Sequence, residues 1–402
     1  MELSAGFRRV SGPDVEDVGE EAGLAARIRT EIATAGPIPF ARFMELALYD
    51  PDGGYYRAAA ARPGRTGDFL TAPETHPIFG HALARHLESV WDRLGRPAPF
   101  VVREHGAGTG TLALAILRGL ASDGSGLLDA IRYQPVEIDP RRLDAFAARL
   151  AAAGLGGAVE PADARPVVGV VLANEVLDAL PVHRVGVRDG RLLERFVGLE
   201  GDTFADAWGP PSTPELQGRL SAEGVTLSEG QSAEVCLVLD DWVASAAAGL
   251  ARGLLLLVDY GAPAADLYDP VRRPHGSLRA YLRHRVHDDV YRHVGRQDLT
   301  AHVDVTAVTA AAEAAGLRPV GLSTQAEFLV GSGAEDLLRA VQADPSTTLE
   351  AYVQLRAALM RLLDPAAMGR FRVMAFGRDW PAGPPLPAFA YRLPARGGSA
   401  SG

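Results

Sequence analysis

The sequence predicts an α/β fold, in which a mainly parallel sheet carries helices on both faces. Apolar, β-branched runs at residues 100–102, 167–173 and 254–258 are typical of strands that are buried on both sides. Apolar residues at helical spacing, as at 141–152, separate the first two runs, which is the order expected of βαβ units. Each run ends in polar or glycine-rich sequence, and ligands of such sheets bind beyond the carboxyl ends of the strands.

Three helices are predicted before the first strand, the last of them at residues 81–94. Residues 24–35 have apolar side chains at helical spacing and are followed by a glycine and a proline, which predicts a helix that stops there. Residues 39–49 predict a second, shorter helix, and residues 50–56 predict a turn. Residues 1–23 are rich in glycine and acidic residues, and we predict a disordered leader there.

The stretch GDFLTAPETHPIFG at residues 67–80 has little periodicity but carries aromatic, hydroxyl and carboxylate side chains. Loops of this mixture are often functional. We therefore predict a lid over the ligand cleft, with Asp68, Thr71 and Glu74 completing the site. A capped helix start before Ile78 is the competing interpretation.

A glycine-rich turn follows the first buried strand, where residues 101–112 are VVREHGAGTGTL. Gly106, Gly108 and Gly110 have no side chain to hold a ligand away from the backbone N–H groups and from the following helix. Thr111 stands where the third glycine of a dinucleotide fingerprint would be. The pattern E-x-G-x-G-x-G is instead the one found where class I methyltransferases bind S-adenosylmethionine (SAM), although a plain tight connection would also use glycines.

Two acidic residues complete the predicted SAM site. Glu104 lies two positions before the first glycine, near the expected place of the cationic amino-acid end of SAM. Glu137 ends the next predicted strand, where a carboxylate can accept hydrogen bonds from both ribose hydroxyls. Asp139 is the reserve candidate for this role. Asp163 follows a poorly defined strand near residues 158–161 and is a candidate for the adenine end, with a solvated turn residue as the alternative.

The buried run at 167–173 leads into Asn174, which we assign to the cofactor site, and is followed by two acidic residues, Glu175 and Asp178. These residues lie where an acceptor should meet the cofactor. If a helix begins at Glu175, a spacing of three places both carboxylates on one face. We predict that they are catalytic, although Asp178 could instead be a helix-start acid that the helix dipole favours.

The remaining sequence completes the predicted organisation. Residues 184–250 look inserted and contain the pattern of a hairpin that turns at Asp189-Gly190. Strands are predicted at 317–324 and 370–376. The predicted segments are an N-terminal helical and lid region (24–95), a core in two pieces (96–183 and 251–378), an inserted α+β region (184–250) and a tail (379–402).

Composition narrows the function classes. The formal net charge is −10 and no long basic run is present, so we predict no nucleic-acid partner. Cys236 is the only cysteine, and the histidines of 275–293 lack the compact spacing of a zinc site, so no metal is predicted. No apolar stretch reaches the ~20 residues of a membrane span, and residues 1–23 do not have the pattern of a signal peptide. These observations predict a cytoplasmic protein without membrane insertion.

A series of further motifs occurs in one order between about residues 27 and 378. They are Gly36-Pro37-Ile38, residues 50–56, GDF at 67–69, TAPE at 71–74, residues 77–80, the glycine turn, Val136-Glu137, and residues 173–183, 258–261, 298–304 and 325–329. Together they resemble the MidA-like methyltransferase family, whose mitochondrial members assist the assembly of respiratory complex I.

The resemblance implies a SAM-dependent class I methyltransferase with a Rossmann-like, seven-stranded sheet and helices on both faces. For the mitochondrial members it implies symmetric dimethylation of an arginine on a complex I core subunit. Two positions depart from the family pattern. His105 replaces an apolar residue, and Val176-Leu177 replaces a bulkier aromatic pair, which changes the wall of the acceptor pocket.

The leading hypothesis is therefore methyl transfer from SAM to a protein arginine. An arginine side chain is always cationic, and paired carboxylates can hold its planar fork. The predicted partners are a protein substrate, of the respiratory-complex type, and a second copy of the chain. Two alternatives stay open: methylation of a small molecule at oxygen or nitrogen, and an assembly factor that binds SAM without catalysis.

Overall fold

The computed structural model describes residues 8–9, 17–57, 71–283 and 285–393 of the 402-residue chain. Its strands are β1 (Arg8–Arg9), β2 (Ile38–Pro39), β3 (Phe100–His105), β4 (Ile131–Val136), β5 (Val167–Asn174), β6 (His183–Arg188), β7 (Arg191–Glu200), β8 (Thr203–Gly209), β9 (Ser232–Val235), β10 (Leu250–Asp259), β11 (Gly261–Ala262), β12 (Arg279–Leu282), β13 (Arg285–His287), β14 (Asp298–Thr300), β15 (Val303–Asp304), β16 (Arg318–Thr324) and β17 (Arg372–Arg378).

The α-helices are α1 (Ala22–Ala35), α2 (Phe40–Tyr49), α3 (Ala72–Thr75), α4 (Ile78–Arg93), α5 (Thr111–Ser122), α6 (Leu127–Ala130), α7 (Pro140–Ala152), α8 (Glu215–Ala222), α9 (Leu239–Ala248), α10 (Ala264–Leu267), α11 (Val305–Ala314), α12 (Gln325–Gly331), α13 (Ala334–Ala343), α14 (Leu349–Leu363) and α15 (Pro387–Ala390). Short 3-10 turns occur at Gly156–Ala158, Leu177–Ala179 and Met368–Arg370. None of the helices in the described part of the chain is long and apolar enough to span a bilayer.

The central sheet has the strand order β16-β17-β10-β5-β3-β4. Strands β4, β3, β5 and β10 are parallel to one another, and β17 is antiparallel to both of its neighbours. The β-branched and leucine-rich sequences of β5 and β10 are buried because helices cover both faces of the sheet. The predicted α/β architecture is therefore confirmed, with the carboxyl ends of four parallel strands at one edge.

The predicted count of seven strands is wrong for the described residues, where the sheet has six. The missing strand is the one predicted at residues 158–161. Val159 makes a single parallel bridge to Tyr133 of β4, and the amide of Glu160 bonds to the carbonyl of Tyr133. Pro161 has no N–H group, so the ladder cannot continue from there.

Two apolar layers cover the central sheet. On one face, α4 and α5 pack on β3, β5 and β10 through a cluster that includes Phe79, Leu83 and Ile116. On the other face, α9 and α11 pack on β5 and β10. Helix α9 lies within the segment predicted as an insertion, yet its buried residues Leu239 and Val243 belong to the core. The inserted region therefore ends before α9.

The inserted region forms a separate antiparallel sheet, β2-β7-β6-β9, with β8 paired to β7. The hairpin predicted at Asp189-Gly190 is the turn between β6 and β7. Leu216 and Leu220 of α8 are buried in a cluster with Val185 of β6. Strand β2 comes from the N-terminal segment, so this segment and the inserted region share one sheet.

The described parts of the predicted leader and tail are packed. Strand β1 pairs with β13, and the guanidinium of Arg296 donates to the carbonyl of Val18 and to Glu21, so residues 8–9 and 17–23 are not disordered as predicted. In the tail, Phe389 of α15 is buried 5.4 Å from the ring of His86 in α4. Val18 of the leader packs on Leu282 and Phe389 of the tail packs on His86, and sequence spacing does not reveal either partner.

Candidate functional site

A cavity of about 700 Å³ opens at the carboxyl ends of β3, β4 and β5. Its size suits a small-molecule cofactor with part of a second substrate. The N-terminal segment, the glycine turn, α7 and α9 complete its wall. The described residues that line it are Tyr49, Tyr56, Thr71, Pro73, Glu74, Glu104–Thr109, Thr111, Leu112, Val136–Asp139, Arg141, Arg142, Ala145, Asn174–Val176, Ala179, Leu180 and Trp242.

The three glycines of the turn between β3 and α5 all have positive φ angles, at +69°, +54° and +82°. A Cβ atom on Gly106 would lie 2.7 Å from Val176, and one on Gly110 would lie 2.8 Å from Phe146. A Cβ atom on Gly108 would meet no protein atom closer than 4.0 Å. Gly106 and Gly110 are thus required by protein packing, whereas the space beside Gly108 belongs to the cavity.

The carboxylate of Glu137, just after β4, is held by backbone amides. One oxygen accepts from the N–H of Gly108 at 2.9 Å, and the other accepts from the N–H of Ile138 at 2.8 Å. Asp139 also lines the cavity, but its carboxylate caps α7 and pairs with Arg141 at 2.9 Å. Glu137 is therefore the better placed of the two candidates for the ribose hydroxyls.

Glu104, near the end of β3, is buried at the base of the cavity. Its carboxylate accepts a hydrogen bond from the hydroxyl of Tyr133 at 2.7 Å. Burial raises the pKa of Glu104 to about 8. Because no cationic side chain offsets the burial in the described residues, a cation entering the cavity here would stabilise the charged form of Glu104.

Asn174 and Glu175 follow directly from β5, as the sequence predicts. Glu175 has a positive φ of +52°, which is uncommon for a residue with a side chain. One carboxylate oxygen accepts from the amide N–H of Ala72 at 3.0 Å and from the side chain of Asn174 at 3.1 Å. Burial raises the pKa of Glu175 to about 8. Its side chain lines the cavity and connects β5 to α3.

Asp178 does not lie where we predicted. Instead of a helix beginning at Glu175, the chain makes one 3-10 turn at Leu177–Ala179, and Asp178 is not among the described residues that line the cavity. Its carboxylate is buried and accepts a hydrogen bond from Tyr260, and burial raises its pKa to about 6. No α-helix begins at Glu175, because Glu175 has a positive φ of +52° and Leu180, which precedes Pro181, already has an extended backbone.

Asp163 is also placed differently from our prediction. It lies outside the cavity lining, and its carboxylate pairs with the guanidinium Nε of Arg165 at 2.7 Å. The amide of Arg165 donates to the same side chain at 3.0 Å. Asp163 is therefore the solvated turn residue of the alternative interpretation, because the strand expected to aim it at the cofactor does not extend past Val159.

Of the three predicted lid residues, Thr71 and Glu74 line the cavity, and Asp68 lies outside the described residues. Glu74 accepts from the amide of Thr71 at 3.3 Å, so the two residues form a capping box on α3. The capped helix is α3, which begins at Ala72, whereas α4, which begins at Ile78, has no side-chain cap. Burial raises the pKa of Glu74. The capping box fixes α3, and Glu74 of α3 lines the cavity.

Sequence reasoning missed several lining residues. The rings of Tyr49 and Tyr56 are stacked with their centroids 5.5 Å apart, and the hydroxyl of Tyr49 donates to the carbonyl of Ala179. Trp242 of α9 lies 5.6 Å from the ring of His105. Tyr49 directly precedes the predicted turn at residues 50–56 and Tyr56 is its last residue, so this turn is the sequence feature that could have indicated the two tyrosines. Nothing in the local sequence of Trp242 indicates the cavity.

Acidic side chains outnumber cationic ones in the cavity lining. Five carboxylates line it within the described residues, against two guanidiniums: Glu74, Glu104, Glu137, Asp139 and Glu175, against Arg141 and Arg142. Such a lining favours cationic ligands. Nowhere in the part of the chain that the structure describes do three His, Cys, Asp or Glu side chains come together in a way that could hold a metal ion.

Comparison with known proteins decides which ligand chemistry this cavity serves. The family model described as "Putative S-adenosyl-L-methionine-dependent methyltransferase" matches residues 82–323, which contain the glycine turn, Glu137 and Glu175. The chain belongs to this family. It is a SAM-dependent methyltransferase, and SAM is its cofactor.

Solved structures share the fold of this methyltransferase. A COG1565 superfamily member from Burkholderia thailandensis, solved bound to S-adenosyl-homocysteine, is 37% identical with a TM-score of 0.83, and the match covers 95% of this chain and 97% of that one. A native structure of a COG1565 superfamily protein from the same organism is 36% identical with a TM-score of 0.81, again over 95% and 97% of the two chains.

Curated relatives of this methyltransferase carry a more specific name. The Drosophila melanogaster homologue of protein arginine methyltransferase NDUFAF7, mitochondrial, is 30% identical over 88% of this chain and 84% of its own length. The human protein arginine methyltransferase NDUFAF7, mitochondrial, is 28% identical over 86% and 81%. The designation "mitochondrial" contradicts the cytoplasmic location predicted from the sequence, and that prediction is wrong.

The residues at the carboxyl ends of the strands fit SAM. The open space beside Gly108 allows a ligand to lie against the glycine turn. The buried carboxylate of Glu104 lacks a cationic partner in the described residues, and the ammonium and sulfonium of SAM are cationic. In Glu137, Oε1 accepts from the N–H groups of Ile138 and Asp139 and Oε2 from that of Gly108 alone, so Oε2 keeps a lone pair for a hydroxyl donor.

Proposed function

We propose that this methyltransferase transfers a methyl group from SAM to the side chain of an arginine in a protein. The names of the Drosophila and human relatives support this acceptor. The observation that carries the proposal is the position of Glu175, whose carboxylate is fixed in the cavity wall next to a second carboxylate, that of Glu74. A pair of carboxylates is the group that best recognises a guanidinium fork.

We propose Glu175 and Glu74 as the pair that holds the acceptor, in place of Glu175 and Asp178. The two carboxylates repel each other enough to contribute to the raised pKa of Glu175. A bound guanidinium would remove this repulsion and keep both groups ionised. The rings of Tyr49 and Tyr56, which line the same cavity, offer faces that attract a cation.

SAM supplies an activated methyl group on a sulfonium, so the transfer needs little acid or base catalysis. The protein's main contribution is then to orient the nucleophile. We propose that Glu175 and Glu74 turn one guanidinium nitrogen toward the methyl group. As the N–C bond forms and the S–C bond breaks, S-adenosyl-homocysteine leaves, and one of these two carboxylates accepts the proton that the nitrogen gives up. Gly106, Gly108, Gly110, Thr111, Glu104, Glu137 and Asn174 are the residues proposed to hold the cofactor.

The target protein is a further proposal. The complex I assembly role of the family's mitochondrial members, together with the name NDUFAF7, supports a subunit of a respiratory complex as the substrate. We also propose that two copies of the chain form a homodimer.

We further propose that the central sheet is a class I methyltransferase sheet that lacks the edge strand predicted at residues 158–161.

The experiment combines the purified protein, SAM with a labelled methyl group and a proteome from cells that lack the protein. Label in one protein, recovered as dimethylarginine after hydrolysis, is the expected result. Label found only in small molecules would overturn the arginine proposal in favour of a small-molecule acceptor. An absence of label, despite measurable SAM binding, would point to a non-catalytic assembly factor.

The variant Glu175→Gln tests the residue that carries the proposal. It keeps the shape of the side chain but removes its charge, so we expect affinity for S-adenosyl-homocysteine to stay within about twofold and transfer to fall by about a hundredfold or more. Glu200→Gln, at an exposed position at the end of β7, is the matched control. Equal turnover by the Glu175→Gln variant and the control would remove Glu175 from the mechanism.

A further inference from the structure

The polar end of β10 contains a buried carboxylate that the proposed transfer does not use. Asp259 is the last residue of β10 and is fully buried. It is not among the described residues that line the cavity, so it does not touch a ligand there. Its neighbour in the sheet is the end of β5, where Val258 is in register with Asn174.

Both carboxylate oxygens of Asp259 bind backbone amides. One oxygen accepts from the N–H groups of Val176, Leu177 and Asp178, at 3.1, 2.9 and 3.3 Å. The other accepts from the N–H of Tyr260 at 2.9 Å. A single side chain therefore holds three successive amides of the turn that follows Glu175.

The chain on either side of Glu175 is fixed by β10. The amide of Glu175 donates to the carbonyl of Val258 at 2.8 Å, and the next three amides donate to Asp259. Between these anchors Glu175 takes its left-handed backbone conformation, which persists in proteins only where the surroundings impose it. That conformation aims the side chain at Ala72 and the cavity.

We propose that Asp259 is a positioning residue for methyl transfer, whose carboxylate holds the turn after β5 so that Glu175 faces the acceptor. The inference rests on the proposed function, in which Glu175 orients the acceptor.

The substitution Asp259→Asn keeps the size of the side chain but leaves one oxygen for two sets of amide donors. Asp259→Ala removes both acceptors. Asp304→Asn is the matched control, because Asp304 is also buried and accepts from two backbone amides, at the start of α11 and outside the cavity lining. All three variants are made in the full chain.

Two measurements test the inference. Hydrogen exchange, followed by mass spectrometry on a peptide that spans residues 175–180, should be at least about tenfold faster in Asp259→Asn than in the wild type or the control. For the acceptor that the wild-type protein labels, kcat should fall by about ten- to a hundredfold in Asp259→Asn and further in Asp259→Ala. KM for SAM and the Kd for S-adenosyl-homocysteine should stay within about twofold.

The split between kcat and KM separates positioning from a general structural role, because a loosened fold would also weaken cofactor binding. Unchanged exchange in the 175–180 peptide, or a kcat equal to that of the control, would overturn the inference. So would an equal loss of cofactor affinity and kcat in Asp259→Asn. If the wild-type acceptor is not arginine, the proposed function fails, whereas exchange and kcat on the observed acceptor still decide the role of Asp259.

Discussion

At the scale of single residues, the three glycines after β3 are required for different reasons. Gly106 and Gly110 prevent collisions with Val176 and Phe146, which are parts of the protein itself. Gly108 alone faces open cavity space. A substitution at Gly108 should therefore affect ligand binding more than folding.

We predict that Gly108→Val lowers the affinity for S-adenosyl-homocysteine by about a hundredfold or more, because the new side chain fills space that the cofactor needs. A valine at positive φ also costs about 1–3 kcal/mol of stability. Gly190→Val is the matched control, since Gly190 has a φ of +68° and open surroundings in the β6–β7 turn. Calorimetry and urea unfolding check both effects, and equal cofactor affinity in the two variants would contradict the cofactor assignment.

The carboxyl of Glu104 should make stability depend on pH. Burial raises its pKa to about 8 from an ordinary value of 4.5. Between these values the folded protein keeps a proton that the unfolded chain has released, so the free energy of unfolding falls as the pH rises. One such group contributes at most about 1.4 kcal/mol per pH unit.

Glu104→Gln has no proton to lose, so its free energy of unfolding should fall less than that of the wild type between about pH 5 and about pH 8. Urea unfolding without ligand at both pH values measures this difference. Glu215→Gln, at an exposed position in α8, should keep the wild-type dependence. A Glu104→Gln slope equal to that of the wild type would show that Glu104 is ionised in the unliganded protein.

At the scale of elements, helices α4 and α5 approach closely because small residues face each other. A Cβ atom on Gly80 of α4 would lie 2.4 Å from the Cβ atom of Ala115 in α5. In contrast, Gly218 of α8 is exposed and has no atom within 4 Å of the position a Cβ would take. The same substitution should thus have opposite effects at the two sites.

We expect Gly80→Ala to destabilise the protein by about 1–3 kcal/mol, because the methyl group must push α4 away from α5. Gly218→Ala should stabilise it by about 0.5–1 kcal/mol, since alanine loses less backbone entropy in a helix. Thermal and urea unfolding of both variants provide the measurement. A Gly80→Ala variant as stable as Gly218→Ala would mean that the two helices are further apart than described.

The elements also show what the sequence can and cannot predict. Strands β3, β5 and β10 were predicted because buried parallel strands have apolar, β-branched runs that need no knowledge of their neighbours. Asp178 was misplaced because the turn that holds it is set by Asp259, 81 positions later in the chain. Trp242 could not be predicted for a similar reason, since it contacts His105, which lies 137 positions earlier in the chain.

At the scale of the whole molecule, three parts of the chain share a sheet, a cavity wall and apolar contacts: the N-terminal segment, the core and the inserted region. Strand β2 belongs to the sheet of the inserted region, while Tyr49 and Tyr56 belong to the wall of the cavity. Cys236 follows β9 and packs against both the core and the N-terminal apolar cluster. The single thiol of the protein is therefore a probe for separation of these parts.

We predict that Cys236 reacts slowly with iodoacetamide in the folded protein. Burial raises the pKa of its thiol to about 12, from 9.0 for an ordinary thiol, which lowers the thiolate fraction near neutral pH by about a thousandfold. The rate should rise in one transition with urea, coincident with the loss of helical circular dichroism. Labelling that begins at lower urea than the loss of helix would show that the inserted region separates before the core unfolds.

The position of Trp242 has an optical consequence. Of the four tryptophans in the chain, Trp242 is the one that lines the cavity, where it lies beside His105, the last residue of β3. A ligand that enters the cavity changes the polarity and the quenching groups around this indole. The protein thus carries an intrinsic fluorophore at its cofactor site, and titrations with S-adenosyl-homocysteine can be followed by emission without any attached dye.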